Sequence, residues 1–145
     1  MDHAILASAN APRAQLDRGT QPHFRAFLCS ALNRTRAHVF LFASPNAFHR
    51  QLISAVGHLP RLHILPSAAQ GDALQHSRYE AYLGLVRSHK NFSKVVLADA
   101  FDVLFQADVF AELAAPGLYV SEEWPSNYSS ARPLWPQCTP LPPSP

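Results

Sequence analysis

The chain has 145 residues, 48% of them hydrophobic, enough for one modest core and against wholesale disorder. Twelve Lys and Arg stand against ten Asp and Glu, a formal charge of +2 with no long basic run, which excludes an obvious nucleic-acid groove or polybasic membrane surface. The two cysteines, Cys29 and Cys138, make neither a CxxC nor a disulfide framework and leave the redox compartment open.

Taken in chain order, the apolar run His3–Ala9 predicts a buried strand that stops at Asn10-Ala11-Pro12. Phe24, Phe27, Leu28, Ala31 and Leu32 recur at helical spacing and predict a helix from His23 to about Arg34. His38–Ser44 is aromatic and apolar, a second strand. Ser44 then caps a helix with Pro45 at its first position, Phe48, Leu52 and Val56 on its inner side, and Gly57 at its end. Leu62–Pro66 reads as a third strand. Asp72, with Gln75 three residues on, opens another helix whose inner stripe is Tyr79, Tyr82, Leu83 and Val86. The polar turn HKNFS leads into a fourth strand, Lys94–Asp99. A short helix over Asp108–Ala114, closed by Pro116-Gly117, precedes a fifth strand, GLYVS.

This alternation predicts an α/β fold, a mainly parallel open sheet with helices on both faces. Ligands of such sheets bind beyond the carboxyl ends of the strands, where strand order reverses. The ordered domain is expected to span residues 1–128. Residues 129–145 are rich in proline, which lacks the N–H that helix and sheet interiors need, and are expected to be extended or disordered.

No basic leader with a long apolar run and no stretch of membrane-span length is present, so the chain as written is expected in the cytosol without a membrane segment. Three sequons, at Asn33, Asn91 and Asn127, support either coincidence of a short motif or descent from a lumenal protein. The eight histidines are dispersed, with no HxxxH or HExxH pair, and are expected at the surface or in ordinary packing. P-loop, dinucleotide-binding and nucleophile-elbow signatures are all missing.

Chemistry concentrates at the end of the fourth strand. Asp99 closes that strand and Asp102 follows three residues later. Two carboxylates at the mouth of a parallel sheet suit a hard cation, Mn²⁺ or Mg²⁺, which prefers oxygen ligands. A strand-ending Asp also caps turns, so the pair taken alone supports either reading.

The surrounding stretch, SRYEAYLGLVRSHKNFSKVVLADAFDVLFQADVF, resembles a pattern of GT-A-type glycosyltransferases: an Arg-bearing helix, then a strand and turn of the form KV-L-D-RDV-FQ-DPF. The likeness continues through Leu118–Glu123 and is closest between Arg78 and Glu123. It implies a GT-A (Rossmann-like) nucleotide-binding half that binds a nucleotide-diphosphate sugar donor with Mn²⁺ or Mg²⁺. By the resemblance, Asp99 and Asp102 form the acidic, DxD-like motif that binds metal and diphosphate. Arg78 is the donor-site arginine, whose guanidinium fork suits phosphate; a surface ion pair is its rival role. Ala7, Ser8 and Ala9 lie where this fold places base and ribose, and small residues there also simply permit tight packing. Glu122 and Glu123 follow the fifth strand, where a carboxylate is suited to contact the donor sugar or act as a base, with a solvated strand end as the rival role. The family's lumenal (Golgi or ER) setting agrees with the sequons.

Two positions depart from the pattern: Phe101 replaces the arginine between the acids, and Val109 replaces a proline. The family's acceptor-binding part follows the fifth strand, where this sequence has its proline-rich tail. Two functions therefore stand: metal-dependent sugar transfer, with acceptor unspecified, or a catalytically incompetent, truncated relative serving as a structural or protein-binding module.

Overall fold

The computed structural model describes residues 2–9, 20–43, 53–54, 56–67, 74–101, 103–113, 115 and 117. In chain order the elements are β1 (Asp2–Ser8), α1 (Thr20–Arg34), β2 (His38–Ala43), β3 (Leu62–Pro66), α2 (Leu74–Ser88), β4 (Phe92–Asp99) and α3 (Val109–Glu112). The expected caps at Ser44-Pro45 and Asp72, the fifth strand beyond Gly117 and the proline-rich tail lie outside the described residues. Residues 53, 54 and 56 are helical, and Gly57 ends that segment. A Cβ at position 57 would meet the Ile53 carbonyl oxygen at 2.5 Å, so the space there requires glycine.

All four strands pair in parallel, in the order β3-β2-β1-β4. This is the 3-2-1-4 portion of the doubly wound order, one half plus the first strand past the point where the order reverses. Strands of such sheets are buried on both faces and read as near-continuous apolar runs. The central pair obeys this: Ala4, Ile5, Leu6 and Ala7 of β1 are fully buried, as are Val39 and Leu41 of β2. The edge strands are only half covered, and Leu97 on β4 is 52% exposed.

The two-residue period sorts the sheet's side chains between two cores. Ile5, Ala7, Ala9, Val39 and Leu41 pack on Phe27, Leu28 and Ala31 of α1. Ala4, Leu6, Phe40 and Phe42 pack with Tyr82 of α2, flanked by Ala81, Leu85 and Val86. Helices α1 and α2 therefore cover opposite faces. Each large apolar side chain so buried contributes roughly 1.5–3 kcal/mol.

The expected inner stripe of α2 needs correction. Tyr82 and Val86 do face the sheet, but Tyr79 and Leu83 are 49% and 48% exposed. Ala81 and Leu85 take the inward flank instead, so the helix is rotated from the expected stripe. β4 also begins at Phe92 rather than Lys94, because Phe92 joins the α2-side core. α3 is shorter than expected, with Asp108 outside it as N-cap, its Oδ1 accepting from the Phe110 N–H at 3.1 Å.

Helix α1 ends on a cap that is non-local. The Arg61 guanidinium donates to the carbonyls of Leu32 (2.6 Å), Thr35 (2.9 Å) and Ala37 (3.1 Å). A cation at a helix C-terminus satisfies orphan carbonyls and complements the helix dipole. Arg61 holds φ at 65°, a left-handed conformation that a side-chain-bearing residue adopts at a cost of roughly 1–2 kcal/mol.

Candidate functional site

The chain runs from β1 outward to β2 and β3, then returns to lay β4 on the other side of β1. That reversal opens the sheet's crevice between the carboxyl ends of β1 and β4. Ser8 and Asp99, the last residues of the two strands, are direct register partners there.

Helix α2 supplies the third and fourth side chains. Arg78 and Tyr82 are four residues apart and share one helix face. Tyr82 is 4% exposed, and its phenol hydrogen-bonds the Ser8 hydroxyl. Its ring meets Phe42 edge-on at 5.2 Å. Burial pushes the Tyr82 phenol up to about 12; Arg78 and the Ser8 bond oppose that shift, while the Asp99 charge adds to it. The hydroxyl thus stays protonated at neutral pH and serves as a fixed dipole.

Arg78 reaches over this platform toward Asp99, with 3.9 Å between Nη1 and Oδ2. Its Nη2 donates to the Tyr79 hydroxyl at 3.1 Å, and its guanidinium lies 4.9 Å from the Tyr79 ring centroid. The Nε atom is buried and finds no hydrogen-bond partner among the described residues. A planar guanidinium with one loose ion pair and an unsatisfied N–H is suited to an incoming oxyanion.

Asp99 does two things at once. Oδ1 accepts the Phe101 N–H at 2.9 Å, a turn of the kind Asp stabilises. Oδ2 is directed to the Arg78 side of the crevice, and the side chain is 44% exposed. The backbone bond fixes the carboxylate without consuming both oxygens. A hard cation accepts one or two protein carboxylates and fills its shell with phosphate oxygens and water. One held carboxylate beside the Arg78 guanidinium is compatible with that demand. Among the described residues no group of three or more His, Cys, Asp or Glu side chains is placed to hold a metal.

The loop after β4 is anchored by α1. Ser30, 6% exposed, donates to the Phe27 carbonyl at 3.0 Å and accepts the Phe105 N–H at 3.1 Å. Phe101, at the position where the resemblance expects arginine, packs near Phe24 with ring centroids 5.9 Å apart. An apolar side chain here stabilises the loop against α1 and leaves Arg78 as the cation beside Asp99.

Of the residues singled out by sequence, the fold brings Arg78, Asp99 and Ser8 together. Ala7 points the other way, fully buried in the α1-side core. Asp102 and Glu122 lie outside the described residues. Sequence reading missed two contributors, Tyr82 as more than a packing residue and Ser30 as the loop's anchor. The four-residue spacing of Arg78 and Tyr82 was the available signal for the first; Ser30 had none.

A second polar group was also missed. His38 on β2 and His63 on β3 approach to 2.9 Å between Nδ1 and Nε2, so these histidines are not dispersed in space. Burial, and then the neighbouring His38 and His89, lower the pKa of His63 below its ordinary value of 6.5.

Among the described residues no helix is long and apolar enough to cross a membrane. No family model matches the chain, and neither a curated protein nor a solved structure matches it.

Proposed function

We propose that this chain is a GT-A-type glycosyltransferase-like domain that binds a nucleotide-diphosphate sugar, with Mn²⁺ or Mg²⁺, at the carboxyl ends of β1 and β4. The observation that carries this reading is the meeting of Arg78 and Asp99, from separate elements, at the reversal of strand order. Asp99 would hold the cation, with Asp102 as its partner by the resemblance. When bound, that cation would stabilise charge on the departing diphosphate. Arg78 turns its fork toward the phosphates, and Tyr82 holds Ser8 and the helix in place beneath it. Glu122 remains the proposed contact to the donor sugar.

Calorimetric titration with UDP and GDP, with and without Mn²⁺, tests this. Asp99→Asn should weaken metal-dependent nucleotide binding at least tenfold, about 1.4 kcal/mol. Arg78→Ala should weaken it by a similar factor, and Arg78→Lys should restore only part, because an ammonium lacks the bidentate fork. Nucleotide binding that is absent, or indifferent to both substitutions, would sink the proposal.

A second reading is favoured by Phe101, packed near Phe24 where the resemblance expects a charge. On this reading the domain is a catalytically incompetent relative that serves as a structural or protein-binding module. It predicts a folded protein that neither transfers nor hydrolyses any nucleotide-sugar donor in the presence of manganese. Release of free sugar above a no-protein control would exclude it.

A further inference from the structure

At the amino ends of the strands, opposite the crevice, a group of imidazoles and phenyl rings gathers on the α2 face. Parallel pairing sets Phe40 against His63, which places His63 beside the β2 residue His38 on the same face. His38 Nδ1 and His63 Nε2 are 2.9 Å apart, with ring planes 26° from parallel. His63 stacks on Phe40 at 4.5 Å between centroids and 15° between planes, and so is braced by a buried ring. His89, at the end of α2, stacks on Phe92 nearby, with its Nδ1 3.2 Å from the Leu85 carbonyl oxygen.

We propose that His38 and His63 form a chelating pair for a borderline divalent cation, Zn²⁺, Ni²⁺ or Cu²⁺. Neutral imidazole nitrogen suits these ions and not Mg²⁺ or Mn²⁺, which seek oxygen. Metal–nitrogen bonds of roughly 2.0–2.1 Å to two atoms 2.9 Å apart enclose about 90°, the angle between adjacent positions of a square-planar or octahedral ion. The rings now point nitrogen to nitrogen at hydrogen-bond distance. Metal binding requires each ring to turn so that both lone pairs meet at a common point outside the pair. His63 is exposed and His38 half-buried, so solvent and an ion reach them. Backbone pairing of β2 with β3 already holds the two ligands together, so little ordering is lost on binding. Among the described residues no third His, Cys, Asp or Glu completes a closed cage, so water fills the remaining positions. The site is independent of the nucleotide reading: it lies at the other end of the sheet and takes a different class of ion.

The test is calorimetric titration of the full chain with Ni²⁺, Zn²⁺ and Cu²⁺ in the absence of nucleotide, repeated with Mg²⁺. Wild type should bind one equivalent of a borderline ion and no Mg²⁺. His38→Ala and His63→Ala should each weaken binding at least tenfold, while His58→Ala, an exposed histidine elsewhere, changes nothing. Because His38 is partly buried, His38→Gln with an unchanged circular dichroism spectrum serves where the alanine variant misfolds. Imidazole proton resonances of His38 and His63 should be the first broadened by substoichiometric Cu²⁺. Equal affinity in wild type, His38→Ala and His63→Ala, broadening spread evenly over all the histidines, or no binding would each overturn the proposal.

Discussion

The two ends of the sheet on its α2 face use the same scaffold for opposite purposes. At the carboxyl end, Ser8, Arg78, Tyr82 and Asp99 present oxygen and guanidinium groups from three elements, β1, α2 and β4. At the amino end, His38, His63 and His89 present nitrogen among phenyl rings. On the two proposals, one end takes an anion with a hard cation and the other a borderline cation. The difference follows from geometry. Among the described strands the order reverses between β1 and β4, so a crevice opens there, whereas β2 and β3 follow in sequence and their side chains stack flat.

The most severe way to break the comparison is to remove the residue beneath the crevice. Tyr82→Ala empties a buried aromatic site and should destabilise the fold by about 3–5 kcal/mol, read from the denaturant midpoint. Both ends should then lose their ligands together. Tyr82→Phe separates packing from polarity, since it retains the ring and loses only the Ser8 hydrogen bond. It should cost about 1 kcal/mol and leave the imidazole end untouched.

Arg61→Ala is expected next in size. It removes three bonds to the end of α1, a loss of about 2–3 kcal/mol, and alanine inherits the same left-handed backbone, so no strain is relieved. Chemical denaturation should show that loss. Arg61→Gly should cost less, because glycine adopts the conformation freely. Ser30→Ala follows, at about 1–3 kcal/mol, by leaving the Phe105 N–H buried and unpaired. If the loop after β4 positions the carboxyl-end site, this variant should also weaken nucleotide binding, while ion binding at the amino end stays at the wild-type level.

The smallest effect separates the ends by pH. The folded-state pKa of His63 lies below 6.5, so the unfolded chain binds the proton more readily. Its contribution is therefore constant above pH 6.5 and is lost as pH falls below that value toward the folded pKa. In buffer containing a chelator, wild type should lose more stability between pH 7 and pH 5 than His63→Gln. Equal slopes for the two proteins would show that folding does not lower the His63 pKa.

Much of the scaffold was legible because its signals are local. Leu62–Pro66 matches the expected strand residue for residue, and β1 and β2 lie within a residue of expectation at each end. The orientation of α2 was not legible. Tyr79, Tyr82 and Leu83 share helical spacing with Ala81, Tyr82 and Leu85, and only the sheet beneath decides which flank is covered. The Arg61 cap was hidden for the same reason: donor and acceptors lie 24 to 29 positions apart. The histidines looked scattered because register, not sequence spacing, brings His38 to His63.

By itself the sequence determined the alternation of strand and helix, the apolar central strands and the placement of Asp99 at a strand end. Those are set by side-chain periodicity and turn chemistry within a few residues. Only the tertiary structure decided that β4 lies beside β1, that Arg78 meets Asp99 over Tyr82, and that two histidines touch. The physical reason is that burial of both sheet faces selects one strand order among several, and contacts between distant residues exist only once that order is chosen.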